Sequence, residues 1–549
     1  MNYEEKRKIR QDPTLTAEQK RTDLHLLKKR DKKRKEERKQ APERKYGKQN
    51  DILRLIIVAL VFLIELTAVI WLFIWLDNKA VWVNTVFRIL AVIVALAVFT
   101  RPMNSAFKFP WIMLIVFMPI AGVTIYLLLG NRFSAYSVRN EYAEIDATLS
   151  HYIAQDNRVT ADLEKKDLRV AHQLEYPYKT NNLYPVFKDT DITYYKDVSL
   201  AYADQLKEAQ KARRFIFLEY FAIEDKEAFV PLRKILEQKV KEGVKVRVFY
   251  DNIGSIGYVN RSFLLDLRKR GIEAQVFNPI STFWKVTMNN RDHRKIMVID
   301  GKTGYTGGYN IANEYFGITH PYGEWKDAGV KIEGKAVNAL TLMFLENWNA
   351  IRREDEDFAQ YISTEEYPAR EKDGFITCYA CSPLSNFPLG EDVYMNLLKN
   401  ARHYVYFTTP YLILTDDMIR EMISAVQRGI DVRIITPGIP DKKIIYRITR
   451  TFYHDLIKGG VKICEYTPGF DHAKIAVSDD EIAAVGTINL DYRSLYLHFE
   501  DGTLFYNYKA VQEVKEDFLK MQSVSKEITK DSKLAKKNHK LIRLLAPLL

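Results

Sequence analysis

His293-Arg-Lys295-Ile-Met-Val-Ile-Asp300 and His472-Ala-Lys474-Ile-Ala-Val-Ser-Asp479 are two copies of one pattern, His-x-Lys-x4-Asp, set 179 residues apart. Each is followed by a glycine-containing stretch, Gly307-Gly308-Tyr-Asn310 and Gly486-Thr487-Ile-Asn489, with the asparagine ten residues beyond the aspartate in both copies. The run after each lysine is rich in β-formers, so His and Lys, at i and i+2, are expected to project from one face of a strand. Asp300-Gly301 has the composition of a hairpin turn that returns the chain. Glycines on the returning strand would let backbone approach a ligand closely.

Working outward, the repeat extends well beyond the motifs. The first half offers a strand at Arg214–Glu219, a helix at Leu232–Glu242, Gly243 as its cap and a strand at Val244–Tyr250. The second half repeats this as a strand at Tyr404–Thr408, a helix at Met418–Arg428, Gly429 as cap and a strand at Ile430–Ile435. Asp266-Leu-Arg-Lys-Arg-Gly-Ile then matches Asp455-Leu-Ile-Lys-Gly-Gly-Val, each leading to a short strand and a proline, Pro279 or Pro468. Glycine at a helix end suits the left-handed cap, and alternating strands and helices indicate an α/β class. Two βα units of roughly 180 residues each are expected to pack with pseudo-twofold symmetry, lobe 1 over residues 181–365 and lobe 2 over 366–549.

The duplicated face carries imidazole, ammonium and carboxamide groups, a set suited to phosphodiester chemistry. One histidine can attack phosphorus. The other can protonate the departing alkoxide and then deprotonate the next acceptor, since its ordinary pKa lies near neutral. Lys295, Lys474, Asn310 and Asn489 can hold the non-bridging oxygens and stabilise transition-state charge, with no metal and no cofactor required. Near symmetry leaves either His293 or His472 as nucleophile. His25, His151, His172, His320, His403, His454 and His539 lack such partners and are expected to be surface or structural residues. Cys378-Tyr-Ala-Cys381 has CxxC spacing without a second pair, so it is expected as buried strand rather than zinc site.

Of the net charge of +12, a surplus of nine lies in residues 1–50, which leaves the remainder close to neutral. A near-neutral body argues against a nucleic-acid surface. The arm, densest at Lys28–Lys39, lacks buried-face periodicity and is expected to be disordered, on the anionic cytoplasmic face of a membrane. Leu55–Leu76 is 22 residues with Glu65 as its single charge, long enough to span. Val81–Phe99, interrupted by Asn84 and Arg88, and Phe109–Leu129, with Pro119 and Gly122 inside, are further candidates. Residues 51–131 are therefore expected to form a membrane anchor of two or three transmembrane helices, and 132–180 a linker. Three full spans would place the body outside and a re-entrant segment would keep it inside; the cytoplasmic side is favoured, at a cell membrane.

The motifs resemble those of the phospholipase D superfamily, and the wider pattern over roughly 85–549 is similar to bacterial cardiolipin synthases. The similarity is carried by Phe109-Pro-Trp through Leu-Leu-Gly130, by Gly308-Tyr-Asn-Ile-Ala-Asn-Glu-Tyr315, by Gly486-Thr-Ile-Asn-Leu-Asp491-Tyr-Arg493-Ser494, and by Phe499-Glu500. The C-terminal Leu-Ile-Arg-Leu-Leu-Ala-Pro-Leu-Leu549 is similar as well, either an apolar tail on the bilayer or a packed helix. The resemblance implies transfer of a phosphatidyl group between two phosphatidylglycerols, giving cardiolipin and glycerol through a phosphohistidine. It favours His293 as nucleophile. It also implies that Asp327 and Glu500 each orient the histidine of the opposite half, a carboxylate on one ring nitrogen fixing the tautomer. Asp300 and Asp479 are expected to hold the hairpins rather than touch substrate. The chain departs from the family at Asp292, Ala328-Gly329 and His498, where asparagine, Thr-His and asparagine are common. A hydrolase or another phosphatidyltransferase using the same site, a nuclease and a non-catalytic scaffold are the alternatives.

Overall fold

Phe215-Ile-Phe-Leu-Glu-Tyr220 is buried along its whole length, which a continuous apolar strand achieves only when both faces of its sheet are covered. The computed structural model describes residues 81–130 except Pro102, 136–280, 286–532 except Asn386, 540–543 and 546, with a few positions between Leu60 and Trp71. The basic arm and most of Leu55–Leu76 lie outside the described residues.

Numbered in chain order, the lobe 1 strands are β1 (Thr190–Tyr195), β2 (Phe215–Tyr220), β3 (Lys245–Asp251), β4 (Glu273–Phe277), β5 (Arg291–Asp292), β6 (Lys295–Ile299), β7 (Thr303–Gly307), β8 (Glu324–Lys326) and β9 (Gly329–Gly334). Those of lobe 2 are β10 (Phe375–Cys381), β11 (Tyr404–Thr408), β12 (Leu412–Ile413), β13 (Asp431–Pro437), β14 (Lys462–Tyr466), β15 (Gly469–Asp471), β16 (Ile475–Ser478), β17 (Ile482–Gly486), β18 (Leu490–Asp491), β19 (His498–Tyr506) and β20 (Ser525–Glu527). The main sheet of lobe 1 runs β1-β9-β7-β6-β2-β3-β4, and lobe 2 repeats it as β10-β19-β17-β16-β11-β13-β14 with β20 added at the edge. The duplication expected from the motifs is thus a duplication of sheet topology.

Alternation along β2 separates two cores. Phe215 and Phe217 face inward to a cluster that also holds most of lobe 2. Ile216 and Leu218 face a smaller cluster with Phe229 and Leu232 of the helix Phe229–Lys241. Helix Val337–Ile351 is buried nearly all round, and it contacts β2, β6 and β10, so it lies between the lobes. An apolar surface on every side suits that position. The CxxC cysteines, Cys378 and Cys381, are buried in β10, which covers another flank of this shared core.

The stretch assigned from sequence to a linker forms the helices Tyr136–Ser150, Asn157–Lys166 and Leu168–Asn181. They strap the lobes: Tyr142 donates to Asn347 at 3.0 Å and stacks on Phe499, and Tyr176 donates to Asp392 at 2.7 Å. N-terminal to them are α1 (Val81–Phe99), α2 (Ser105–Phe117) and α3 (Pro119–Ile125). The third candidate span is not one helix, because Met118 leaves helical geometry (φ −131°, ψ 73°) and Pro119 starts a new segment. Gly122 lets α3 close on α2, since a Cβ there would lie 2.4 Å from the Leu114 carbonyl oxygen. Among the described residues no helix is long and apolar enough to cross a membrane. Outward-facing Val92, Leu96, Phe109, Val116 and Phe117 nevertheless give α1 and α2 an exposed apolar surface.

The motif aspartates sit at the hairpin ends. Asp300, at φ 55°, accepts from the backbone N–H groups of Arg213, Arg214 and Phe215 at 2.8–2.9 Å. Asp479, also at φ 55°, accepts from Arg402, His403 and Tyr404 at 2.7–2.9 Å. Removing either carboxylate strands three donors at the start of a central strand. We expect Asp479→Ala to cost about 2 kcal/mol or more, read as a lower thermal midpoint, while turnover per folded molecule is kept. Unchanged stability with lost turnover would place Asp479 in the chemistry instead.

Candidate active site

The strands that end in the motifs do not stop at their own lobe. β5, just before His293, pairs in parallel with the start of β19 from lobe 2, and β15, just before His472, pairs with β8 from lobe 1. The exchange continues one residue further, as His293 N–H donates to the Phe499 carbonyl at 2.8 Å and His472 N–H to the Lys326 carbonyl at 2.7 Å. The next side chain on each partner strand is an acid. Glu500 Oε2 lies 2.8 Å from His293 Nδ1, and Asp327 Oδ2 lies 2.7 Å from His472 Nδ1. With Nδ1–H directed at a carboxylate, Nε2 of each ring is left for the cavity that both histidines line. Gly308 makes room for this, because a Cβ there would fall 2.1 Å from Asp327 Oδ1.

The site residues proposed from sequence are brought together, except the hairpin aspartates. Lys295 Nζ donates to the His293 carbonyl at 2.5 Å, and Lys474 Nζ donates to the His472 carbonyl and lies 2.9 Å from His472 Nδ1. Asn310 accepts from Ala222 N–H at 3.0 Å and donates to Tyr315 OH at 2.7 Å, so its carboxamide is fixed. Asn489 lines the same cavity, of about 620 Å³. Asp300 and Asp479 take up backbone donors at the far ends of their strands, as described above.

Burial sets the electrostatics. It drives both imidazoles well below their usual range, with Lys295 and Lys474 adding to the effect, so both are neutral at rest. It also pulls the ammonium groups down, Lys295 to about 8 and Lys474 to about 7, against the opposing pull of Glu500 and Asp327. Burial lifts Asp327 to about 6 despite Lys474. Glu500 behaves oppositely: burial alone would raise it, but an imidazolium at His293, when it forms, and the hydrogen bond from its Nδ1–H hold it well below the carboxylate range. Ser494 Oγ donates to Glu500 Oε1 at 2.6 Å.

The two histidines have different neighbours. Trp325 and Phe470 pack beside His472, with ring centroids 5.2 and 5.7 Å away, and Tyr315 meets it edge-on at 5.6 Å. The matching places beside His293 hold His498, two residues before Glu500, and Arg291, whose charge is taken by buried Asp251. Arg493 Nε donates to His498 Nε2 at 3.2 Å, which leaves the His498 proton on Nδ1, 3.4 Å from Glu500 Oε1. His293, His498 and Glu500 are the described set whose ligand atoms could converge on a metal. The cationic neighbours Lys295 and Arg493, and the donors already on Glu500, oppose a cation there. Sequence reasoning named His498 as a departure but gave it no role, and missed Trp325 and Arg493 as neighbours of the histidines. The signal available was the period of two: Trp325 and Asp327, like His498 and Glu500, share one face of a strand.

A constellation of this kind, duplicated and crossed between lobes, has known counterparts. The family described as "Cardiolipin synthase, PLD-like domain" matches residues 202–343 and 394–522, and "Phospholipase_D-nuclease N-terminal" matches 89–131. An uncharacterized protein of Streptococcus mutans serotype c is 39% identical over 445 residues, 80% of this chain and 96% of that one. A cardiolipin synthase of Halalkalibacterium halodurans is 31% identical over 450 residues, 80% of this chain and 88% of that one. Among solved structures, phosphatidylserine synthase from Haemophilus influenzae Rd KW20 is similar in fold, with a TM-score of 0.52 at 16% identity over 69% of this chain and all of that one. With the reciprocal histidine–carboxylate pairs and these relatives together, the chain belongs to the cardiolipin synthase family of phospholipase D-like proteins.

Proposed function

We propose that the chain makes cardiolipin from two phosphatidylglycerols, releasing glycerol, through a phosphatidyl-histidine at His293. The observation that carries this is the pair of neutral imidazoles from opposite lobes, each with Nδ1 on a carboxylate and Nε2 free for one shared cavity. His293 Nε2 attacks phosphorus, the bond to the glycerol oxygen breaks, and His472 gives that oxygen a proton. The hydroxyl of a second phosphatidylglycerol then passes its proton to His472 and attacks phosphorus, and the P–N bond breaks. Lys295, Lys474, Asn310 and Asn489 surround the non-bridging oxygens. An arriving phosphodiester offsets the field of the two lysines that helps hold His472 neutral, so His472 takes up a proton from solvent on Nε2 as substrate binds and has it to give to the leaving oxygen.

His293 is favoured as nucleophile because Glu500 stays ionised and can stabilise the imidazolium of the adduct, whereas Asp327 is held nearer neutrality. The body would sit on a bilayer through the exposed apolar faces of α1 and α2, with the basic arm on the anionic cytoplasmic leaflet.

Membranes carrying the chain and labelled phosphatidylglycerol should yield cardiolipin and free glycerol; phosphatidic acid alone would overturn the transfer in favour of hydrolysis. A covalent lipid adduct should be trapped in His472→Ala and absent from His293→Ala. Survival of the adduct without His293 would exchange the two roles. Asp327→Asn should lower kcat by on the order of 10²–10⁴-fold.

The lysines set an alkaline limit. Their pKa values are depressed, so the cationic forms exist below about 7 for Lys474 and about 8 for Lys295 and are lost as pH rises. We expect kcat/KM of the wild type to fall through this window. In Lys474→Arg the limb should move to about 8, where Lys295 alone titrates.

A further inference from the structure

We propose that the rim of the catalytic cavity is itself a membrane-docking surface, inserting Ile439 and Ile444 into the headgroup region of an anionic bilayer. The inference rests on the lipid-transfer reading above and adds the surface that reading leaves open.

The size of the cavity is the first reason. About 620 Å³ lies in the range that encloses one drug-sized molecule. The reaction joins two diacyl lipids, so the cavity admits headgroups while the acyl chains stay outside it. Four acyl chains cannot stand in water, and the mouth must therefore open onto bilayer.

The composition of the rim is the second reason. Lys442 and Ile445 line the cavity, and the helix Lys443–Lys458 starts beside them. Ile444 is 63% exposed and Ile439 40%, both large for aliphatic side chains on a folded surface. Lys443 and Arg447, one turn apart, are exposed next to Ile444, and the Lys442 side chain is 62% exposed. Across the opening, the cavity-lining Ile253 and Tyr258 are exposed as well. Apolar tips bordered by basic residues match an interface where hydrocarbon meets anionic headgroups. Of the acids that line the cavity, Asp441 is engaged by Lys442 at 2.8 Å and by Tyr411 OH at 2.6 Å, Glu314 accepts from Tyr258 OH at 2.6 Å, and Asp491 is buried.

The third reason is where the apolar N-terminal helices attach. Phe107 of α2 packs edge-on against Tyr492 and Tyr496, with centroids 5.6 and 5.3 Å away, and Asn104 donates to Tyr496 OH at 3.2 Å. Tyr492 lines the cavity. The exposed apolar face of α2 and the exposed isoleucines of the rim thus belong to the surroundings of one opening.

The test uses the full chain in phosphatidylglycerol-containing vesicles with Ile444→Cys carrying an environment-sensitive fluorophore. The native cysteines are buried, so the label goes to the introduced thiol. Lys302→Cys is the reference: it sits in the β6–β7 turn, at the opposite end of β6 from His293, with 51% of its side chain exposed. The label at 444 should be quenched by lipids brominated on their acyl chains and shielded from aqueous iodide, and the label at 302 should behave the other way. Ile444→Asp should raise the apparent KM for phosphatidylglycerol about tenfold with kcat kept. Iodide quenching at 444 equal to that at 302, in vesicles that still make cardiolipin, overturns the docking surface and leaves the activity standing. Vesicles of the unsubstituted chain that make no cardiolipin would instead remove the reading on which it rests.

Discussion

Each motif histidine is held by the lobe that does not encode it, and the rest of the molecule is arranged around that exchange. A parallel two-strand contact at β5–β19 and another at β15–β8 fix the backbone before each ring. Glu500 and Asp327 then fix the rings themselves. Neither lobe alone contains a histidine with its acid, so the active arrangement exists only when the lobes are packed. That packing is supplied by a core running from the inner face of β2 through helix Val337–Ile351 into lobe 2. The shared core makes the spacing of the two imidazoles a property of rigid elements rather than of loops, which is what positioned acid–base chemistry requires.

Symmetry in the scaffold coexists with asymmetry at the chemistry. The residue between His and Lys is Arg294 in one motif and Ala473 in the other, and both are fully buried. Arg294 is tied to Glu346 at 2.8 Å on the helix between the lobes, whereas Ala473 only fills space. His472 lies among Trp325, Phe470 and Tyr315, whereas His293 has one such ring, Phe221 at 4.8 Å, and the imidazole of His498 at 5.5 Å. Two sites with the same backbone therefore differ in the charge they tolerate. A nucleophile that becomes an imidazolium adduct benefits from the anionic Glu500, and an acid–base partner benefits from a pKa that substrate can shift. Duplication supplies the geometry, and divergence of a few neighbours makes the two histidines inequivalent.

Much of this was legible in the chain because it is local. Strand β11 falls where its apolar β-branched and aromatic run predicts, and the hairpins fall at Asp300-Gly301 and Asp479 because few residues other than glycine, asparagine and aspartate accept a positive φ. Helix Phe229–Lys241 starts three residues earlier than expected, since Pro231 is tolerated in a first turn and Phe229 is fully buried. The supposed linker carried a helical signal, with Tyr142, Ile145 and Leu149 at spacings of three and four and with Asp156 and Asp167 as caps. What could not be read is non-local. That β5 would pair with β19, or that β15 would pair with β8, depends on segments brought together by both sheets. The pairing of each acid with the opposite histidine came from family resemblance and not from spacing.

The same non-local logic links the site to the N-terminal helices. Ser494, which donates to Glu500, and Arg493, which donates to His498, lie on the short helix Tyr492–Tyr496. The outer residues of that helix, Tyr492 and Tyr496, are the ones that Phe107 and Asn104 grip from α2. One turn of helix therefore touches the orienting acid on one side and the apolar N-terminal segment on the other. Close packing transmits a displacement rather than absorbing it, so the seating of α2 and the hydrogen bonding of the acid beside His293 are coupled through that one turn of helix.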